Sequence, residues 1–135
     1  MLDKIESNKK WTVYLPLVIY WIILFIATTL PSKDLPNAHV SDKIEHFSAY
    51  FILAILLNLA MMFQNKYVNL KRKAWLYTLI IISTYAGLDE IHQLFIPSRD
   101  CEFLDWIADS SGVLLGIGVV RFLISYFKYR PQTGN

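Results

Sequence analysis

Apolar and polar positions alternate along this chain in long blocks. Residues 11–30 are 20 positions without a charge. At about 1.5 Å of rise per residue a helix of that length reaches about 30 Å, the thickness of a bilayer core. Trp11 is placed as an interfacial anchor, and Pro16 lies near the helix start, where it is tolerated. The run is too long for the apolar part of a cleavable signal and is expected to be a retained anchor. Residues 31–41 (PSKDLPNAHVS) read as a loop, with His39 in it. Ser41 or Asp42 is the expected N-cap of a second helix, with Glu45 at capping-box spacing. That helix is predicted over about 44–63, with Glu45 and His46 at its edge and Asn58 deep enough to need a partner on another helix.

The third and fourth runs are short. Residues 74–88 are 15 positions without a charge, and the apolar run at 113–126 is only 14 residues long. To cross a bilayer, the third helix must continue through Asp89, Glu90, His92 and Gln93 to about 95, where Pro97 and Ser98 break it. The fourth must begin near Asp105 or Trp106. The spacing therefore predicts helices over about 11–30, 44–63, 74–95 and 106–127, one domain covering 1–135. The fold class is an all-α integral membrane bundle of four transmembrane helices. Residues 64–73 (QNKYVNLKRK) read as a basic loop that meets anionic lipid heads.

Composition agrees with this pattern: 55% hydrophobic residues and a mean hydropathy of +0.37. The net charge of +2 implies no nucleic-acid partner. Cys101 is the only cysteine, so there is no internal disulfide and no multi-cysteine metal site. The distribution of charge says more than its sum. The N-terminal tail, the second loop and the C-terminal tail carry nine Lys or Arg, against Lys33, Lys43 and Arg99 on the other side. Arg121, within the last helix, can snorkel towards the basic side. The asymmetry predicts both termini in the cytoplasm. All acids except Asp3 and Glu6, and all three histidines, then fall on the extracytoplasmic side.

Helical spacing sorts these groups. Asp42, His46 and Tyr50 recur every four residues and share a face, with Lys43 three before His46. Asp89 and Gln93 share a face of the third helix; His92 lies beside it and Glu90 is turned away by about 100°. Asp105, Asp109, Gly112 and Gly116 form one stripe on the fourth, and Gly112 and Gly116 make a GxxxG pattern that lets another backbone approach. Ionisable groups at such positions face a bundle interior and mark function. The competing structural reading locks Asp89, Glu90 and Gln93 to Lys43 or Arg99.

Three segments, DKIEHFSAY at 42–50, LDEIHQLFIPSR at 88–99 and DWIADSSGVLLG at 105–116, resemble the signature blocks of the VanZ-like family. The matching positions are Asp42, Lys43, His46, Tyr50, Asp89, Glu90, Gln93, Arg99, Asp105, Gly112 and Gly116; Asp109 stands where many members carry Asn. The resemblance implies a small bacterial membrane protein of the cell envelope, in a family linked to low-level teicoplanin-type glycopeptide resistance.

The expected ligand-binding set is Asp42, Lys43, His46, Tyr50, Asp89, Glu90, Gln93, Arg99, Asp105 and Asp109, with Gly112 and Gly116 for packing. The leading reading is a non-enzymatic protein of the cytoplasmic membrane. Its site would meet a polar headgroup or peptide-like ligand at the outer leaflet, with membrane lipid, a lipid-linked cell-wall precursor or a glycopeptide as partner. A second reading is a membrane-embedded hydrolase or transferase acting on a lipid-linked cell-wall intermediate. No Ser or Cys nucleophile stands out for it, although Ser98 and Cys101 are nearby. A small transporter ranks third. No cofactor is expected. The His and carboxylate ligand types suit a divalent metal, but no HExxH-type spacing is present, so no metal is expected either.

Overall fold

The computed structural model describes residues 2–31 and 41–129, and these are helical apart from short connections. A short helix α1 (Leu2–Ser7) leads through a π-helical turn (Lys10–Tyr14) into α2 (Leu15–Thr29). Then come α3 (Asp42–Phe63), a short α4 (Val68–Arg72), α5 (Ala74–Gln93) and α6 (Phe103–Tyr129). The predicted all-α class holds. The long helices fall on the four apolar blocks, and α6 starts earlier than expected, at Phe103. The basic loop and the N-terminal tail each wind into a short helix. The loop with His39 and the end of the C-terminal tail lie outside the described residues.

Three helices are long and apolar enough to cross a membrane: Lys10–Thr29, Asp42–Phe63 and Phe103–Phe127. The expectation of four is met only in part. α5 does not reach the apolar standard of the other three, because Asp89, Glu90, His92 and Gln93 occupy its last turns. The chain has the build of a multi-pass membrane protein. Its outer surface supports this. Ile22, Ile23, Ile26, Leu88, Ile91, Leu114, Leu115 and Phe122 are exposed. An apolar surface so extensive is matched by lipid rather than water.

The interior is organised around α3, which packs against α6, α5 and α2. Tyr50, Leu53, Ala54, Ile82, Ala86 and Val113 are buried together where α3, α5 and α6 meet. Two glycines set the α3–α6 distance. A Cβ on Gly116 would stand 2.7 Å from the carbonyl oxygen of Phe51, and one on Gly112 would lie closer still to that of Phe47. The expected packing role of the stripe is thus visible as backbone-to-backbone contact. Asn58, as its depth required, donates to Thr78 on α5 at 3.2 Å. α2 joins the bundle through Tyr20, whose hydroxyl donates to the Ala49 carbonyl at 3.0 Å. Its Trp21 ring meets Tyr85 edge-on. Arg121 folds over the Trp75 ring at 5.8 Å, near the end of the bundle that carries the basic loop.

The α3 start differs from expectation in detail. Ser41 is the N-cap, but its side chain makes no capping bond. Its carbonyl instead accepts from the amides of Ile44 and Glu45, and Glu45 is left free for the surface.

Candidate functional site

At the acidic end of the bundle, the first turns of α3 and α6 and the last turns of α5 lie side by side. They bring together the polar groups that their spacing placed on separate helices. Lys43 donates to Glu102 at 2.8 Å and to Asp105 at 3.0 Å. One turn deeper, His46 Nδ1 stands 3.1 Å from Asp109 Oδ1 and 3.6 Å from Glu90 Oε1. Its other ring nitrogen, Nε2, is 3.9 Å from Asp42 Oδ1. One turn deeper again, the Tyr50 hydroxyl donates to Asp89 Oδ2 at 3.0 Å. Lys43, His46 and Tyr50, on successive turns of α3, thus each meet a carboxylate, in three layers.

Most of this is hidden from solvent and lipid. Asp89, Glu90, Gln93, Asp105 and Asp109 are all buried, Asp109 completely at 0% exposure. Glu90, expected off the shared face of α5, is buried because α5 is wedged between α3 and α6 and so covers two of its sides. Its Oε2 accepts from the backbone amide of Glu102 at 3.2 Å, and Gln93 donates to its Oε1 at 3.5 Å. Asp42 is exposed at the rim.

Arg99 makes no ion pair with the carboxylates of the cluster. Ser98, with φ 64°, turns the chain after α5, and Arg99 then reaches the C-terminal end of α2. There it donates to the Ala27 carbonyl at 3.0 Å and the Leu30 carbonyl at 3.3 Å. A cation on the last carbonyls of a helix satisfies orphan acceptors and suits the helix dipole. The expected pairing of Arg99 with the α5 acids is therefore not made. Its guanidinium holds α2 against the turn, and among the described residues the basic groups that pair with the acids are Lys43 and His46.

Two residues were missed by sequence reasoning. Glu102 bonds Lys43 through its side chain and Glu90 through its amide; its place three residues before Asp105, at the start of α6, was the available signal. Glu45 lines a cleft of about 120 Å³ with Asp42, His46, Tyr50, Thr28 and Arg99. A second opening, on the other side of the cluster, has Glu90, Glu102, Cys101 and Trp106 in its wall. The cluster thus borders two openings, with His46 in the wall of one and Glu90 in the wall of the other.

The VanZ/LLP1 family model matches residues 11–124. The chain belongs to the VanZ/LLP1 family. The match covers α2 to α6 and so contains every residue of the cluster. No curated protein and no solved structure matches the chain significantly.

Proposed function

We propose that this VanZ/LLP1 protein is a binding protein of the bacterial cell envelope that takes a polar, amine-bearing headgroup or peptide-like ligand at the extracytoplasmic leaflet of the cytoplasmic membrane. In this reading α5 is a fourth crossing, with its polar turns shielded from lipid by α3 and α6. Both termini lie in the cytoplasm, following the basic asymmetry of the loops. The observation that carries the reading is charge. Among the described residues, the six carboxylates of Asp42, Asp89, Glu90, Glu102, Asp105 and Asp109 have Lys43 and His46 as their cationic partners, with Arg99, bonded to backbone carbonyls, as a third cation at the cleft wall. The cleft beside His46 adds Glu45. Such an excess favours a cationic group over an anionic one.

Through that ligand the protein would alter susceptibility to teicoplanin-type glycopeptides. The test is expression in a susceptible bacterium that lacks the protein. Wild-type protein should shift teicoplanin susceptibility, and Asp42→Asn with Glu45→Gln should cancel the shift at equal protein level. A wild-type protein without effect, or a double variant as active as wild type, would refute it.

One observation favours an enzyme of the hydrolase or transferase type as the second reading. His46 lies among three carboxylates, an arrangement that can orient a general base. A transporter is disfavoured by the basic half of the bundle, where Asn58 and Thr78 are buried and bonded to each other.

A further inference from the structure

Part of the cluster gathers three buried side chains of metal-ligand type. Three donor atoms, one each from His46, Glu90 and Asp109, all lie within 4.8 Å of one another, and all three residues are buried. His46 Nδ1 lies 3.1 Å from Asp109 Oδ1 and 3.6 Å from Glu90 Oε1. A tetrahedral ion with bonds of about 2.0–2.2 Å holds its donor atoms about 3.3–3.6 Å apart. The two distances from His46 match that spacing within a few tenths of an ångström, and the two carboxylates lie within 4.8 Å of each other.

A second observation points the same way. Asp109 is wholly buried, yet its Oδ2 has no hydrogen-bond partner among the described residues. A buried carboxylate oxygen without a partner is costly, and a cation removes that cost. The opposite nitrogen of His46 faces the rim carboxylate Asp42 at 3.9 Å.

We infer that His46, Glu90 and Asp109 bind a divalent transition-metal ion such as zinc. One imidazole and two carboxylates suit zinc or manganese better than copper(I) or an iron–sulfur cluster. Three protein donors leave a tetrahedral ion one position for water or for a ligand. The ligands come from three helices, which is why no short sequence motif announces them. The site shares its three residues with the headgroup reading above, but metal binding is measured without lipid or antibiotic, so the two can fail separately.

The test uses the full chain, purified in detergent and stripped with a chelator. Cobalt(II) and zinc(II) are titrated in, with a chromophoric chelator as competitor. Wild-type protein should bind one ion per chain and give the intense visible absorption of tetrahedral cobalt, which zinc then displaces. His46→Gln and Asp109→Asn should each weaken binding at least tenfold and abolish that spectrum, while His92→Gln should leave both unchanged. Helicity and melting of each variant in chelator establish that it is folded. Should Asp109→Asn fail to fold, Glu90→Gln, expected to weaken binding and alter the spectrum, decides. Wild-type binding no tighter than that of His46→Gln, or an unaltered spectrum in all the folded ligand variants, would overturn the site.

Discussion

Replacing Gly112 with alanine adds one methyl group where α3 and α6 touch backbone to backbone. The new Cβ would lie 3.0 Å from the Phe51 amide nitrogen and closer to the Phe47 carbonyl oxygen. Neither atom belongs to a flexible side chain, so the helices must separate or the variant must not form. Overpacking of this kind costs about 1–3 kcal/mol. Alanine also gains about 1 kcal/mol over glycine in helix propensity, which partly hides the clash. Gly118→Ala supplies the correction. It lies in the same helix, and nothing stands within 4 Å of its added Cβ. The difference between the two alanine variants isolates packing, and it should be at least about 1–3 kcal/mol in melting experiments in detergent. Gly116→Ala, with a 2.7 Å clash at Phe51, should fall on the same side. The substitution should reach the site as well. Asp109 is three residues before Gly112 and His46 one before Phe47, so a separation that relieves the clash stretches the 3.1 Å His46–Asp109 contact out of hydrogen-bond range. Equal melting of Gly112→Ala and Gly118→Ala would refute the close approach and, with it, the geometry of the cluster.

Other consequences follow from single contacts. Tyr50→Phe removes the hydroxyl that donates to buried Asp89 and should cost about 1–3 kcal/mol, read from thermal melting. Arg99→Gln leaves the Ala27 and Leu30 carbonyls without their donor; it should lower stability by about 1–2 kcal/mol, and proteolysis should find the α2 end more open. Cys101 is exposed, so in intact spheroplasts an impermeant thiol reagent should label it from outside; labelling only after permeabilisation would reverse the proposed orientation.

The parts of this fold that were legible in the sequence are those set by local rules. Charge-free runs fixed α2 and α3. The need for length placed Asp89 and Gln93 inside α5 and Asp105 and Asp109 inside α6. Four-residue spacing put Asp42, His46 and Tyr50 on one face, and GxxxG foretold the α3–α6 contact. What escaped depends on three helices meeting at once. The burial of Glu90 follows from α5 having neighbours on two sides, which no helical wheel contains. The partner of Arg99 is a pair of backbone carbonyls 69 and 72 residues away in sequence, and carbonyls leave no trace in a residue pattern. The spacing of His46, Glu90 and Asp109 arises only in three dimensions.

The central claim is that the cluster holds more negative charge than its own basic groups neutralise, and so awaits a cation rather than locking the helices. The melting midpoint of Glu90→Gln, in detergent and chelator with no ligand added, tests it most directly. Glutamine keeps the size and the acceptor oxygen of the side chain but removes one charge. If the account holds, the midpoint stays level with wild type or rises, because repulsion from Asp109 and Asp105 is relieved. If Glu90 is instead one half of a structural ion pair with His46, the exchange leaves a buried charge unmatched at about 3–5 kcal/mol. A midpoint lowered on that scale would contradict the account.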